Sequence, residues 1–374
     1  MTGYLAFFQT HRGLLLRIVL GAGFAIVPNP SWAMLFYLAI LPGAGLRLAR
    51  GADWPDDLGA RLGVALIFWF TLTTLWDSMA GAHLIWVWNG ACTLGLFITA
   101  LATLREDAAA RDKLLMVLII GGLVNAVLAI GMFLHAPSDR MTGWAETRHP
   151  ILGASIIGGS VVLATGHMLR GQQRAVMAAT IASGLLFIVL TGSRGPLIAI
   201  GGALVMLLAA LRPRVLAGAA LGLMGALGAV FVASPGNLQA AFARAMERGW
   251  SNRLEIWDIS LGKIAQTPIF GSGPATLLDR PGENFPHNLV LSTWLYSGLI
   301  GVMLLLALLA FAARAAWSDA DRIMRWTLLA LLLHLALSGL TDLSQVTKGP
   351  GPMWYILWLP IVLALSAQRA DSRL

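Results

Sequence analysis

The chain has 374 residues, 57% hydrophobic and 12% charged, with a mean hydropathy of +0.75, so its polar residues are too few to coat a soluble globule of this length. A net charge of +8 does not point to nucleic acid: no basic and aromatic residues interleave, no zinc spacing occurs, and Lys and Arg in a membrane chain mostly record topology. The single Cys92 lies in an apolar stretch, which excludes an intramolecular disulfide and a cysteine metal site.

In chain order, about twelve apolar segments follow one another, each close to the length that spans a bilayer. They cover residues 13–27, 31–48, 62–76, 83–104, 114–134, 151–169, 175–190, 196–211, 215–233, 289–313, 326–340 and 353–367. The first follows His11 and Arg12 as a signal peptide would, but no small-residue cleavage site comes after Pro28-Asn29-Pro30, so it is read as a retained span. In lipid each backbone amide must be satisfied within its own segment, and the alternating pattern of a barrel is missing, so the spans are helices. The expected fold is therefore an all-α polytopic membrane protein, one membrane domain over residues 1–374. Most of the 26 basic residues fall on one set of connections, from Arg12, Arg47 and Arg105 to Arg170, Arg212 and Arg322. The rule that positive loops stay inside then places both termini in the cytoplasm.

The opposite side holds residues 137–150, the turn Gly192-Ser193-Arg194-Gly195, a long loop at 234–287 and residues 342–352. Within the long loop, 237–248 reads as an amphipathic helix lying along the interface, carrying Arg244 and Arg248 as headgroup contacts. A second helix is expected over 252–266, and Gly271, Gly273, Pro274, Pro281, Gly282 and Pro286 then break the chain into turns.

Basic residues on this side run against the topological bias and require a local reason. Arg194 opens a helix between two glycines, a natural site for phosphate, or else it snorkels to lipid headgroups. Arg253 and Trp257 are four apart, so on a helix the indole can stack on the guanidinium; the alternative is a surface arginine paired with Glu255 or Asp258. His287 stands just before an apolar helix and suits acid–base work, though a histidine at a membrane boundary can be merely structural. Asn288 beside it either orients a substrate or caps the helix. His135 and His149 flank the loop bearing Arg140 and Arg148 and either join the site or solvate it. His334, deep in a helix, reads as packing. On this side no DxD or HExxH spacing occurs, so no metal and no other cofactor is expected. Two arginines on a diphosphate and one histidine near a helix end suit displacement of a lipid diphosphate by a sugar hydroxyl.

Three stretches share this side: Leu190-Thr191-Gly192-Ser193-Arg194-Gly195-Pro196; Asn252-Arg253-Leu254-Glu255-Ile256-Trp257-Asp258 followed by Pro268-Ile269-Phe270-Gly271-Ser272-Gly273; and Pro286-His287-Asn288-Leu289 followed by Gly298-Leu299-Ile300-Gly301. In this order the set resembles the bacterial O-antigen ligase and O-antigen polymerase superfamily. The resemblance implies a GT-C-like glycosyltransferase with one long periplasmic loop, working in the bacterial inner membrane on undecaprenyl-diphosphate glycans. It also implies His287, Arg194 and Arg253 as the essential residues, with Trp257, Asn288, Arg140 and Arg148 as substrate contacts. A ligase would pass the glycan to a sugar of lipid A-core; a polymerase would extend one glycan with another. Relatives often carry an Asn-Pro-Asn-like element where this chain has Arg148-His149-Pro150, so His149 is given no role. A twelve-helix transporter or flippase is a further alternative, but the ionisable residues gather at one face rather than in paired halves.

Overall fold

The computed structural model describes residues 2–25, 27, 31–77, 83–138, 140–233, 251–280 and 284–367. All regular structure among them is helical. Among the described residues, eight helical stretches are long and apolar enough to cross a membrane, and Arg174–Leu190 and Trp354–Leu365 are shorter apolar helices. The protein is thus a multi-pass membrane protein. The interfacial helix expected at 237–248, with Arg244 and Arg248, lies outside the described residues.

The helices are α1 (Thr2–Ala25), α2 (Ser31–Ala39), α3 (Leu41–Ala49), α4 (Leu58–Leu72), α5 (His83–Glu106), α6 (Ala108–His135), α7 (Pro150–Leu169), α8 (Arg174–Leu190), α9 (Arg194–Leu211), α10 (Pro213–Ala233), α11 (Ser251–Ile264), α12 (Leu289–Trp317), α13 (Arg322–Thr341) and α14 (Leu359–Leu365). Two spans differ from their sequence reading. The first helix begins at Thr2, well before residue 13, which places Arg12 inside it. The second apolar segment is two helices, because Pro42 falls in the first turn of α3 and lacks the amide that would continue α2. Helix α7 is buried along nearly its whole length and packs on α6, α8, α9 and α13. It is the axis of the bundle.

The two ends of the bundle differ in chemistry. At one end, acids meet the arginines that the sequence reading used only as markers of topology. Arg12 pairs with Glu106 and Asp53, Arg47 with Asp53, Arg105 with Asp57, Arg111 with Asp319 at 3.0 Å, and Arg170 with Asp321. Arg111 and Asp319 are both buried, which makes breaking this pair more costly than keeping it. At the other end lie the starts of α7, α9 and α12 and the end of α13, and each of the first three helices packs on α13.

A break in α12 explains two of the motifs. Gly298 has φ 67° and ψ −171°, a conformation open to glycine alone, and an added Cβ would lie 2.0 Å from the Ile269 carbonyl oxygen. The interruption orphans amides and carbonyls that lipid cannot satisfy, at several kcal/mol each. Residues 268–273 supply the partners: Leu299 N donates to Pro268 O at 2.9 Å and Ile300 N to Ile269 O at 3.5 Å. In return, Ser272 N donates to Leu295 O at 2.8 Å and Gly273 N to Tyr296 O at 3.0 Å. Trp69 Nε1 reaches the remaining carbonyl, Ser297 O, at 2.8 Å. The segment after α11 is therefore stitched into α12, which fixes α11 and the chain leading to His287 against the bundle.

Candidate active site

The site is built around the C-terminus of α13. Arg253, on the first turn of α11, reaches across 89 positions of sequence so that Nη2 donates to Asp342 Oδ1 at 2.7 Å and Nη1 to Thr341 O. The planar fork thus holds a carboxylate and a helix-end carbonyl together, the geometry for which arginine is suited. Asp342, not Glu255 or Asp258, is the partner; Glu255 pairs instead with Arg280 at 3.1 Å.

The turn before α9 arrives at the same carboxylate from the other side. A Cβ on Gly195 would stand 2.6 Å from Thr341 Oγ1 and 2.7 Å from Asp342 Oδ2, so only glycine allows the approach. Arg194 is the first residue of α9 and is exposed. Its turn is braced by Arg140, whose Nε donates to Thr191 O at 3.0 Å and Nη2 to Ser193 Oγ at 3.2 Å. Arg140 therefore shapes the turn that carries Arg194.

His287 has φ 50°, uncommon for a side chain other than Gly, Asn or Asp, and such backbone is kept only where neighbours enforce it. The neighbours are explicit. Trp257 Nε1 donates to Pro286 O at 3.1 Å, and Asn288 Oδ1 accepts from Val290 N and Leu291 N at 3.0 and 3.1 Å. Asn288 Nδ2 also donates to Leu340 O at 3.2 Å, tying the start of α12 to the end of α13. Asn288 is thus a helix cap and a strap, and the contact Trp257 makes here is with the histidine loop. His287 is half-buried and interacts electrostatically with both Asp342 and His149.

Burial pushes the Asp342 carboxyl above the usual carboxylate range, against the pull of Arg253, Thr341 and His287. Burial likewise lowers His149, with Asp342 raising it and Arg140 and His287 lowering it further. His149 caps α7 by accepting from Leu152 N at Nδ1, 3.3 Å, which leaves its proton on Nε2. Arg148 is exposed and bonded to the carbonyl of Ala145 in its own loop, 3.1 Å away. Nothing in its contacts joins it to the Asp342 cluster. Deep in the bundle, His334 is buried with Nε2 2.8 Å from Ser155 O, a packing residue as the sequence implied. Among the described residues no group of three or more His, Cys, Asp or Glu side chains could hold a metal ion.

Sequence reasoning missed Asp342, the common contact of the two arginine elements, and the place of His149 beside it. A signal existed: acids are as scarce as bases on this side, and one left at a helix end against arginines needs a partner. The ion pair links residues far apart, so spacing alone could not name it.

A family profile described as O-antigen ligase matches residues 178–306. The matched segment holds Arg194, Arg253, Trp257 and His287 and stops before Asp342. A curated O-antigen ligase of Pseudomonas aeruginosa is 29% identical over 256 residues, covering 65% of this chain and 61% of its own length. The chain therefore spans somewhat less than two thirds of that relative. Motifs, profile and relative agree, and over residues 178–306 the chain is similar to O-antigen ligases.

Proposed function

We propose that this chain is an O-antigen ligase, a GT-C-like glycosyltransferase that moves a glycan from undecaprenyl diphosphate to a sugar hydroxyl of lipid A-core without a metal. The arginine-rich, ion-paired end of the bundle is the cytoplasmic end, and the Asp342 end faces the periplasm of the bacterial inner membrane. Residues 234–287 form the periplasmic loop of a single membrane domain. The observation that carries the reading is the meeting of the Gly195 turn and the Arg253 fork on one carboxylate, with His287 in electrostatic reach.

The chemistry follows from that arrangement. The acceptor hydroxyl gives its proton to the His287 imidazole while its oxygen attacks the anomeric carbon, and the bond from that carbon to the diphosphate oxygen breaks. Undecaprenyl diphosphate leaves with the electron pair, and Arg194 and Arg253 take up the growing negative charge. A single displacement inverts the anomeric centre. Asp342 holds Arg253 at the site and Arg140 holds the Arg194 turn; Trp257 and Asn288 hold His287.

Reconstitution tests this directly. Purified protein given a lipid-diphosphate glycan and lipid A-core, with chelator present, is expected to yield glycan-capped lipopolysaccharide. Lengthening of the lipid-linked glycan alone would instead establish a polymerase. Absence of both products would reject the transferase reading.

A further inference from the structure

The cap bond does not by itself account for His149. Histidine is not among the residues that cap helices well, and its bond, Leu152 N to Nδ1 at 3.3 Å, is long for an N–H donor. Serine, threonine, aspartate or asparagine would close the first turn of α7 better. The scaffold beneath the ring is rigid all the same. Pro150 starts the helix and keeps His149 extended, at φ −81° and ψ 122°. Gly153 N donates to His149 O at 2.7 Å, and a Cβ on Gly153 would stand 2.3 Å from Thr147 O. Thr147 is buried and donates through Oγ1 to Asn125 Oδ1 at 2.6 Å, while Asn125 Nδ2 donates to Phe24 O at 2.9 Å and Trp144 O at 3.0 Å. The imidazole is thus mounted on α6 and α7 through a connected set of buried bonds.

The cap also fixes the chemistry of the ring. Nδ1 gives its lone pair to Leu152 N, so protonation there would break the bond, and the positive end of the α7 dipole opposes a second charge. The titratable and charged groups within reach are Asp342 at the end of α13, Arg140 in the preceding loop and His287 before α12. Partial burial lowers the basicity of the ring, Asp342 raises it, and Arg140 and His287 lower it further. His149 therefore stands as a neutral ring with its hydrogen on Nε2. Among the described residues no group accepts that hydrogen, and the residue is exposed, so a ligand can reach it. Such a group donates to an oxyanion without taking a proton from it.

Resting on the donor reading above, we propose that His149 Nε2 donates to a phosphate oxygen of the lipid-linked donor, as a third binding group beside Arg194 and Arg253. The two imidazoles then divide the work: His287 takes the acceptor proton, and His149 holds the leaving group while keeping its own. Helices α7 and α9 pack together, and His149 and Arg194 stand at their starts, so both helices add the positive end of a dipole to the same anion.

The test follows binding of undecaprenyl diphosphate to the full chain in phospholipid nanodiscs. His149→Ser keeps an oxygen that caps α7 and removes the reach of Nε2. It is expected to bind about tenfold more weakly, the loss of one hydrogen bond to a charged group, with thermal unfolding unchanged. Histidine methylated at Nε2 in the same position keeps ring and cap and is expected to show the same loss. His149→Ala should lose the ligand equally and unfold at a lower temperature as well, because it has no cap. Undiminished affinity in His149→Ser and in the methylated chain would leave His149 a cap alone and overturn the proposal. So would a loss confined to the KM for lipid A-core, which would give the ring to the acceptor. Failure of the unsubstituted chain to bind undecaprenyl diphosphate would instead remove the donor reading on which the proposal rests.

Discussion

Arg253→Ala is expected to lower transfer by about 10²- to 10³-fold, the loss typical of removing one preorganised donor to developing charge. The effect has two parts. The diphosphate loses a bidentate guanidinium, and Asp342, buried and otherwise held only by weaker neighbours, loses the charge that stabilises it. Because the arginine side chain is about a third exposed, the second part is discounted for solvent and costs on the order of 1 kcal/mol. Arg253→Lys should rescue little, since one ammonium cannot hold Thr341 O and Asp342 in a fork and still face a phosphate. Asp342→Asn keeps the shape of the carboxylate but releases the guanidinium, and is expected to raise the donor KM with a smaller fall in kcat. Initial rates with the lipid-linked donor, alongside thermal unfolding of each variant, separate these effects. Full activity in Arg253→Ala would take the residue out of the mechanism.

His287→Asn should be as damaging, at about 10²- to 10⁴-fold in kcat, with donor affinity retained. Asparagine is the informative replacement because it tolerates the left-handed backbone that His287 adopts, so the loop from Trp257 to Asn288 stays in place. The loss then reports the imidazole and not a collapsed turn. A transporter built on the same fold would keep its turnover in this variant, whereas a transferase would lose product while still binding donor. Rates at saturating donor, paired with donor binding, check the point; an unchanged kcat would assign His287 to structure.

The membrane class, the helical spans and the three motifs were legible because each is local: spans depend on runs of apolar residues, and the motifs sit within a turn or two of chain. What the motifs do was less legible. The Pro268–Gly273 and Gly298–Gly301 stretches have no evident purpose apart from each other, yet together they repair the broken helix. Asn288 shows the converse, a residue whose default reading as a cap proved to be its contact, with a second bond to Leu340 that no spacing predicts. Arg140 carries the same charge as Arg194, and only the turn it braces tells them apart. The arginines at the opposite end stood out in the sequence by their number, while their acidic partners, such as Asp319 for Arg111, follow from packing.

The account stands on Arg194 and Arg253 flanking one diphosphate beside His287. A structure of the full chain with undecaprenyl diphosphate bound addresses this most directly. Both phosphates are expected within hydrogen-bond reach of the two guanidinium groups, on the side of Asp342 that faces His287. Phosphates bound at the ion-paired end of the bundle, or touching only one of the two arginines, would contradict it.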